Sequence, residues 1–353
     1  MARPKKNVAV SAPVGDETVR EAFPRDWADI CGHTQIIRRL RILAAAQRLP
    51  HALLFCGMEG VGKRRTARVL ARTLLCTRGG DAPCGCCDAC RTMAAGVHPD
   101  YFEVVPEVRG KGAAMIRTEA VRDILIAASG APVQAQRRII LIDGAETMNE
   151  TAANRLLKTL EEPSGEVLFI LVTHAYDAVL PTIRSRAVRI AFGALPRVEI
   201  AAALMERGVE DAAALAALAD GSLGRAYALA DEGLALRDEA LDLLAQLRTL
   251  GIEDLWGRAA EIGARPHAER TAWIGFLQMA LRDLLLLRED GASNALCHID
   301  RRETLTSLLA RMADSDIHAL MDGARELTRR LAANVNPALQ AEAFLLRARK
   351  QFV

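Results

Sequence analysis

The stretch HALLFCGMEGVGKRRT, His51 to Thr66, decides how the rest of the chain is read. Leu53 to Cys56 form a short apolar run that leads straight into Gly57. After Lys63 the apolar positions Ala67, Leu70, Ala71, Leu74 and Leu75 recur at helical spacing. Strand, glycine loop and helix are the setting of a phosphate-binding loop, whose pattern is G-x-x-x-x-G-K-[ST]. Gly57, Gly62 and Lys63 satisfy it, and Gly60 adds a further glycine to the loop. In such a loop backbone N–H groups cradle phosphate and the lysine neutralises it. The pattern breaks at Arg64, where a hydroxyl should ligate magnesium. A guanidinium supplies no hard oxygen ligand and repels the metal. Thr66 lies two residues further along the helix and points elsewhere.

A second apolar run carries the same message. RRIILIDGAE places Ile139 to Ile142 on a strand that ends in Asp143, the position of a metal-orienting carboxylate. A hydrolytic site of this kind follows that Asp with a Glu that aligns the attacking water. Here Gly144 follows, and Glu146 is two residues too late. The metal hydroxyl and the general base are both missing, so the sequence predicts a phosphate loop that does not hydrolyse. Whether nucleotide still binds is left open.

Further strands are expected at YFEVVPE, at Val167 to Thr173 and after LPTIRSRA, with helices between them, one of them stopped by Pro163. That alternation argues for an α/β fold with a parallel sheet. After Phe192 no further strand is expected and the chain turns Ala/Leu-rich and helical. The 353 residues suit two or three domains, and residues 1 to about 22 read as a loose polar arm. Hydrophobic residues make up 51% and aromatics 4%, so the core must be built from Ala, Leu, Val and Ile. The formal charge of +2 demands no nucleic-acid partner. The apolar cluster at Leu284 to Leu287 is flanked by Arg282, Asp283 and Arg288, and no segment reaches the roughly 20 apolar residues of a membrane span. Without a signal-peptide pattern, the protein is expected in the cytoplasm, with its eight cysteines reduced.

Five of those cysteines fall in CTRGGDAPCGCCDAC, residues 76–90. Cys84, Cys87 and Cys90 form C-x₂-C-x₂-C, and Cys76 supplies a fourth thiolate. Four thiolates match a closed, structural zinc site rather than an open catalytic one. Cys86 is the spare, able to stand in for a neighbour. A C-x-x-C redox pair and plain buried thiols are the alternatives. His98 is expected outside the ligand set, and Cys31, Cys56 and Cys297 are expected to be packing residues.

Taken together, HALLFCGMEGVGK, the four-cysteine insertion followed by GVHPDYFEV, ILIDGAETMNETAANRLLKTLEEP, LVTHA and LPTIRSRA resemble the bacterial clamp-loader subunits of the AAA+ class. The resemblance implies an AAA+ P-loop core over residues 1–192, with a zinc module at about 76–98. A helical lid over 193–245 and an all-helical collar over 246–353 would follow. It implies that Ser185-Arg186-Ala187 matches the family's S-R-C motif with Ala for Cys. Arg186 would then be an arginine finger reaching the ATP of a neighbouring subunit, the chain's catalytic contribution. Gly57, Gly60, Gly62, Lys63, Asp143, the sensor-1 candidate Thr173 and the sensor-2 candidate Arg225 would be the remnant nucleotide site. Lys158 would lie near the DNA path. The implied partners are gamma/tau and delta subunits, the sliding clamp and primed DNA, and the implied cofactors are structural zinc and ATP bound without hydrolysis. An active ATPase of the gamma/tau type is the alternative, and a nucleic-acid-binding zinc protein is a weaker one, since the cysteine segment has few basic or aromatic residues.

Overall fold

Five segments form five parallel strands: β1 (Ala52–Cys56), β2 (Tyr101–Val104), β3 (Arg138–Asp143), β4 (Val167–Thr173) and β5 (Val188–Ala191). They are ordered β2-β3-β4-β1-β5 across one sheet. The computed structural model describes residues 23–108, 114–161, 166–332 and 336–350. The N-terminal arm and Pro163 lie outside the described residues. β1 and β4 are buried at every position, which is why they read as continuous apolar runs rather than alternating ones.

Side chains of period two serve the two faces. Leu53 and Phe55 of β1 join Ile139 and Leu141 of β3 in one cluster, under α1 (Thr34–Ala45) and α2 (Lys63–Leu75). Ala52, Leu54, Ile140 and Ile142 join the other cluster, under α4 (Thr118–Ala128) and α5 (Glu150–Glu161). Between α2 and α4 in sequence, α3 (Asp88–Ala94) lies inside the cysteine-rich insertion; α6 (Pro181–Arg184) follows β4 and precedes β5. The register sets Cys56 beside Thr173 and Asp143 beside Val172. The carboxyl ends of β1, β3 and β4 therefore meet along one edge of the sheet, where ligands bind in open α/β sheets.

The chain divides into two compact units. The first runs to Glu199 and includes the short return Ser222–Gly224. Residues 193–199 belong to it because they pack back on it: Leu195 is buried, and Leu195 and Glu199 crowd Gly32 so closely that a Cβ there would meet both. The second unit holds the remaining residues and is helical throughout its described part. It comprises most of α7 (Arg197–Glu206), then α8 (Ala212–Leu218), α9 (Leu223–Glu232) beyond its first turn, and α10 (Ala235–Gln246). α11 (Ile252–Ala264), α12 (His267–Glu289), α13 (Arg302–Leu309), α14 (Asp314–Ala332) and α15 (Pro337–Lys350) complete it. Its interior is pinned by Asp283, fully buried, whose carboxylate accepts from the backbone N–H groups of Cys297 and His298 and pairs with His298 Nδ1 at 2.8 Å. Cys297 and Cys56 do more than pack: their sulfurs accept from Arg282 at 3.3 Å and Arg189 Nε at 3.2 Å. Among the described residues no helix is long and apolar enough to cross a membrane.

Candidate phosphate loop and four-cysteine centre

The glycine loop leaves β1 at Gly57 and enters α2 at Lys63, with Gly62 as left-handed N-cap at φ 99°. Gly60, at φ 74°, has no room for a side chain: a Cβ would fall 2.2 Å from Ser222 Oγ. Gly224 N–H donates to Gly60 O at 2.9 Å, and Ser222 Oγ donates to Glu59 O at 2.8 Å. Lys63 is buried and turns back on the loop, donating to the carbonyls of Gly57 at 2.7 Å and Met58 at 2.5 Å. Burial holds its pKa below the ordinary lysine value, against the opposing pull of Asp143 and Glu146. Thr66 Oγ1 donates to Gly62 O at 2.9 Å, so its hydroxyl is spent inside the helix.

Arg64 turns towards the carboxylates. Its Nε lies 2.7 Å from Glu103 Oε1 and 3.5 Å from Asp143 Oδ2. Glu103 also accepts from Arg68 Nη2 at 2.9 Å, Arg68 Nε at 3.2 Å and Tyr101 Oη at 2.7 Å. Burial pushes Glu103 upward, but Arg64 and Arg68 outweigh it and leave its pKa below the usual glutamate range. Asp143 moves the other way: burial, helped by Glu103 and Glu146, raises it despite Arg64 and Lys63. Arg68, Tyr101 and Glu103 escape a reading of the sequence by motif. A signal exists, since Arg64 and Arg68 are four apart on a helix and Tyr101 and Glu103 two apart on a strand, each pair sharing a face.

Gly144 sits at φ 83°, and a Cβ there would fall 2.6 Å from Pro106 Cγ. The position after Asp143 is thus shaped for glycine twice over, by backbone and by space. Glu146 is engaged elsewhere: its Oε1 is 2.5 Å from His174 Nδ1, and its Oε2 is buried with no hydrogen-bond partner among the described residues. Thr173 Oγ1, buried at the end of β4, accepts from Ala175 N–H at 3.1 Å.

The remaining expected residues are placed by their own contacts and burial. Arg186, just past α6, donates to Thr182 O at 2.9 Å and pairs with Glu161 at 2.5 Å, with its side chain 35% exposed. Ala187 beside it is buried. Arg225 belongs to the second unit, its guanidinium 5.5 Å from the centre of the Phe276 ring. Lys158 is on the exposed face of α5.

The Sγ atoms of Cys76, Cys84, Cys87 and Cys90 all lie within 4.8 Å of one another. The separations Cys76–Cys87 and Cys84–Cys90 are each 3.9 Å. A tetrahedral site with Zn–S of about 2.3 Å has S···S edges of about 3.8 Å, so the four thiols fit a zinc ion. Backbone N–H groups of Cys84, Cys87 and Cys90 point at the sulfurs of Cys76, Cys84 and Cys87, at 3.4–3.5 Å. Such donors favour thiolates: those of Cys86 and Cys87 bring Cys84 down to about 5, while burial pushes Cys90 up to about 12. Cys86 is exposed, with its sulfur 3.7 Å from that of Cys84, and falls outside the four. His98 is not in the cluster either; its Nδ1 accepts from Asp100 N–H at 3.1 Å. Cys76 caps the carboxyl end of α2, the helix whose first residue is Lys63. Asp81 in the insertion takes both Arg41 Nε and Nη2 and, through its carbonyl, Trp27 Nε1.

A family profile described as "DNA polymerase III, delta subunit" matches residues 32–196. The DNA polymerase III subunit delta' of Pseudomonas aeruginosa is 42% identical over 189 residues, 52% of this chain and 57% of that protein. The Escherichia coli subunit delta' is 31% identical over 277 residues, 77% of this chain and 80% of that protein. A gamma/tau subunit of Mycobacterium bovis is 36% identical over 178 residues, 50% of this chain but 30% of its own length. The match thus spans little more than half of the Pseudomonas relative and under a third of the mycobacterial one. A crystal structure of a DNA polymerase III gamma subunit-related protein from Thermotoga maritima aligns over 89% of this chain and 99% of its own, at 18% identity and a TM-score of 0.41. The five-stranded parallel sheet, with a glycine loop between β1 and α2, is a P-loop α/β arrangement. The chain belongs to the DNA polymerase III delta-prime family of clamp-loader subunits.

Proposed function

We propose that this chain is a non-hydrolysing subunit of the clamp loader, a stator that assembles with gamma/tau and delta subunits and lends Arg186 to a neighbour's ATP. The observation that supports the reading is Arg64, which stands where the loop pattern has its magnesium-binding hydroxyl and whose guanidinium pairs with Glu103 and Asp143. Gly144 adds to it, since it offers no side chain to activate water. Arg186 suits the finger's task because its resting partner is a half-exposed Glu161. Exposed pairs of that kind are worth only about 0–1 kcal/mol, so a phosphate could displace the glutamate at little cost. In this reading the four cysteines hold a structural zinc ion, residues 193–245 act as lid and 246–353 as collar. The clamp and primed DNA are met only in the assembled ring. Zinc bound here would supply a cross-link between the carboxyl end of α2 and the insertion.

The retained Lys63 and Asp143 favour a second reading, an active ATPase of the gamma/tau type. Turnover by the purified chain separates the two. The stator reading expects no ATP hydrolysis above background with magnesium present, and no effect of Lys63→Ala. Hydrolysis that disappears in Lys63→Ala would establish the second reading instead.

A further inference from the structure

We propose that Arg64 is a built-in cation that fills the metal position of the phosphate loop and closes it to divalent ions. The inference deepens, and rests on, the reading of this loop as non-hydrolysing. Three features support it. Arg64 meets two carboxylates from two different strands, Glu103 of β2 and Asp143 of β3. Glu103 is anchored by other groups, because Arg68 and Tyr101 bond to its oxygens. These bonds hold it beside Arg64, and Arg68 in turn has its guanidinium 4.5 Å from the centre of the Phe23 ring. The local charge is also already met: Arg64 and Arg68 stand against Glu103 and Asp143, and Lys63 is adjacent to Arg64 in the chain. A divalent ion would enter beside a fixed positive charge and compete for the oxygens that hold it.

Arg64 is then a specificity-determining residue, and the carboxylates beneath it are a latent metal site. Removing the guanidinium while keeping Asp143 and Glu103 should uncover that site. The probe is Mn²⁺ alone, followed by electron paramagnetic resonance on the full chain loaded with zinc. Wild type is expected to leave the Mn²⁺ signal free at concentrations where Arg64→Ser binds one ion at least about 10-fold more tightly. Arg64→Lys, which retains a cation, should behave as wild type, and Asp143→Asn in the Arg64→Ser background should abolish the gain. Should Arg64→Ser fail to fold, Arg64→Gln, a longer neutral side chain, carries the same measurement. The proposal falls if wild type binds Mn²⁺ through Asp143 as tightly as Arg64→Ser, or if neither neutral variant gains an ion. Either failure is distinct from failure of the non-hydrolysing reading, because turnover is measured separately and is also blocked by Gly144.

Discussion

Arg64 and Gly144 depart from the phosphate-loop pattern by different means. Arg64 departs in chemistry: a guanidinium paired with Glu103 and Asp143 stands where the pattern has a hydroxyl. Gly144 departs sterically, because its left-handed backbone and the Pro106 ring leave a side chain nowhere to go. Both are legible in the sequence as departures from a pattern, but only the structure gives their partners. Glu103 stands 39 residues from Arg64 in the chain, and Pro106 comes from the segment after β2, so no local spacing predicts either pairing. In the proposed non-hydrolysing reading, restoring the consensus is not expected to give chemistry. Arg64→Thr with Gly144→Glu is expected to hydrolyse no ATP and to lose about 1–3 kcal/mol of stability from overpacking at Pro106, measured by urea denaturation. Turnover in that double variant would mean the loop is more plastic than its geometry indicates.

Among the strands and helices, the buried strands are the most legible. β4 is found at the residues its apolar run marks, Val167–Thr173, because a strand buried on both faces leaves a continuous signature. The edge strand β5 is mostly exposed and is legible only from its place after LPTIRSRA. Nothing in the apolar pattern marks α3, which has seven residues and whose first turn is capped by the Cys87 thiol. If the four thiols hold zinc, elemental analysis should find one ion per chain and Cys90→Ser should lose it. The melting transition of that variant should fall, because metal binding to such centres is folding free energy. A second local device is Asp100, fully buried just before β2. Burial disfavours its charge, but N–H donors from Val133, Gln134 and Ala135 prevail and hold its pKa below the aspartate range. Its contribution is complete above the unfolded value of about 3.9 and is lost as pH falls through the lower folded value. Asp100→Asn should therefore cost about 1.5–3 kcal/mol at pH 7, and the gap to wild type should shrink below about pH 4, as read from denaturation curves across pH.

For the whole molecule, the change from strands to helices is legible near Phe192, while the first compact unit continues to Glu199 and regains Ser222–Gly224. The sequence hides that return because it rests on contacts between distant parts of the chain. Gly224 N–H meets the Gly60 carbonyl, and Ser222 Oγ meets the Glu59 carbonyl 163 residues away. Neither contact leaves a periodic or motif-like trace, since backbone carbonyls carry no residue identity.

In the assembled loader, this chain is proposed to spend no ATP itself and to serve the ATP of a neighbour. The decisive experiment is ATP turnover, stimulated by clamp and primed DNA, in a loader reconstituted with gamma/tau and delta subunits. Three forms of this chain are compared: wild type, Arg186→Ala and Lys63→Ala. Arg186→Ala is expected to slow turnover by at least about 10-fold, a loss that arginine fingers are large enough to cause, and Lys63→Ala to leave it unchanged. A loss confined to Lys63→Ala, with Arg186→Ala as active as wild type, would contradict the stator reading and make this chain a motor.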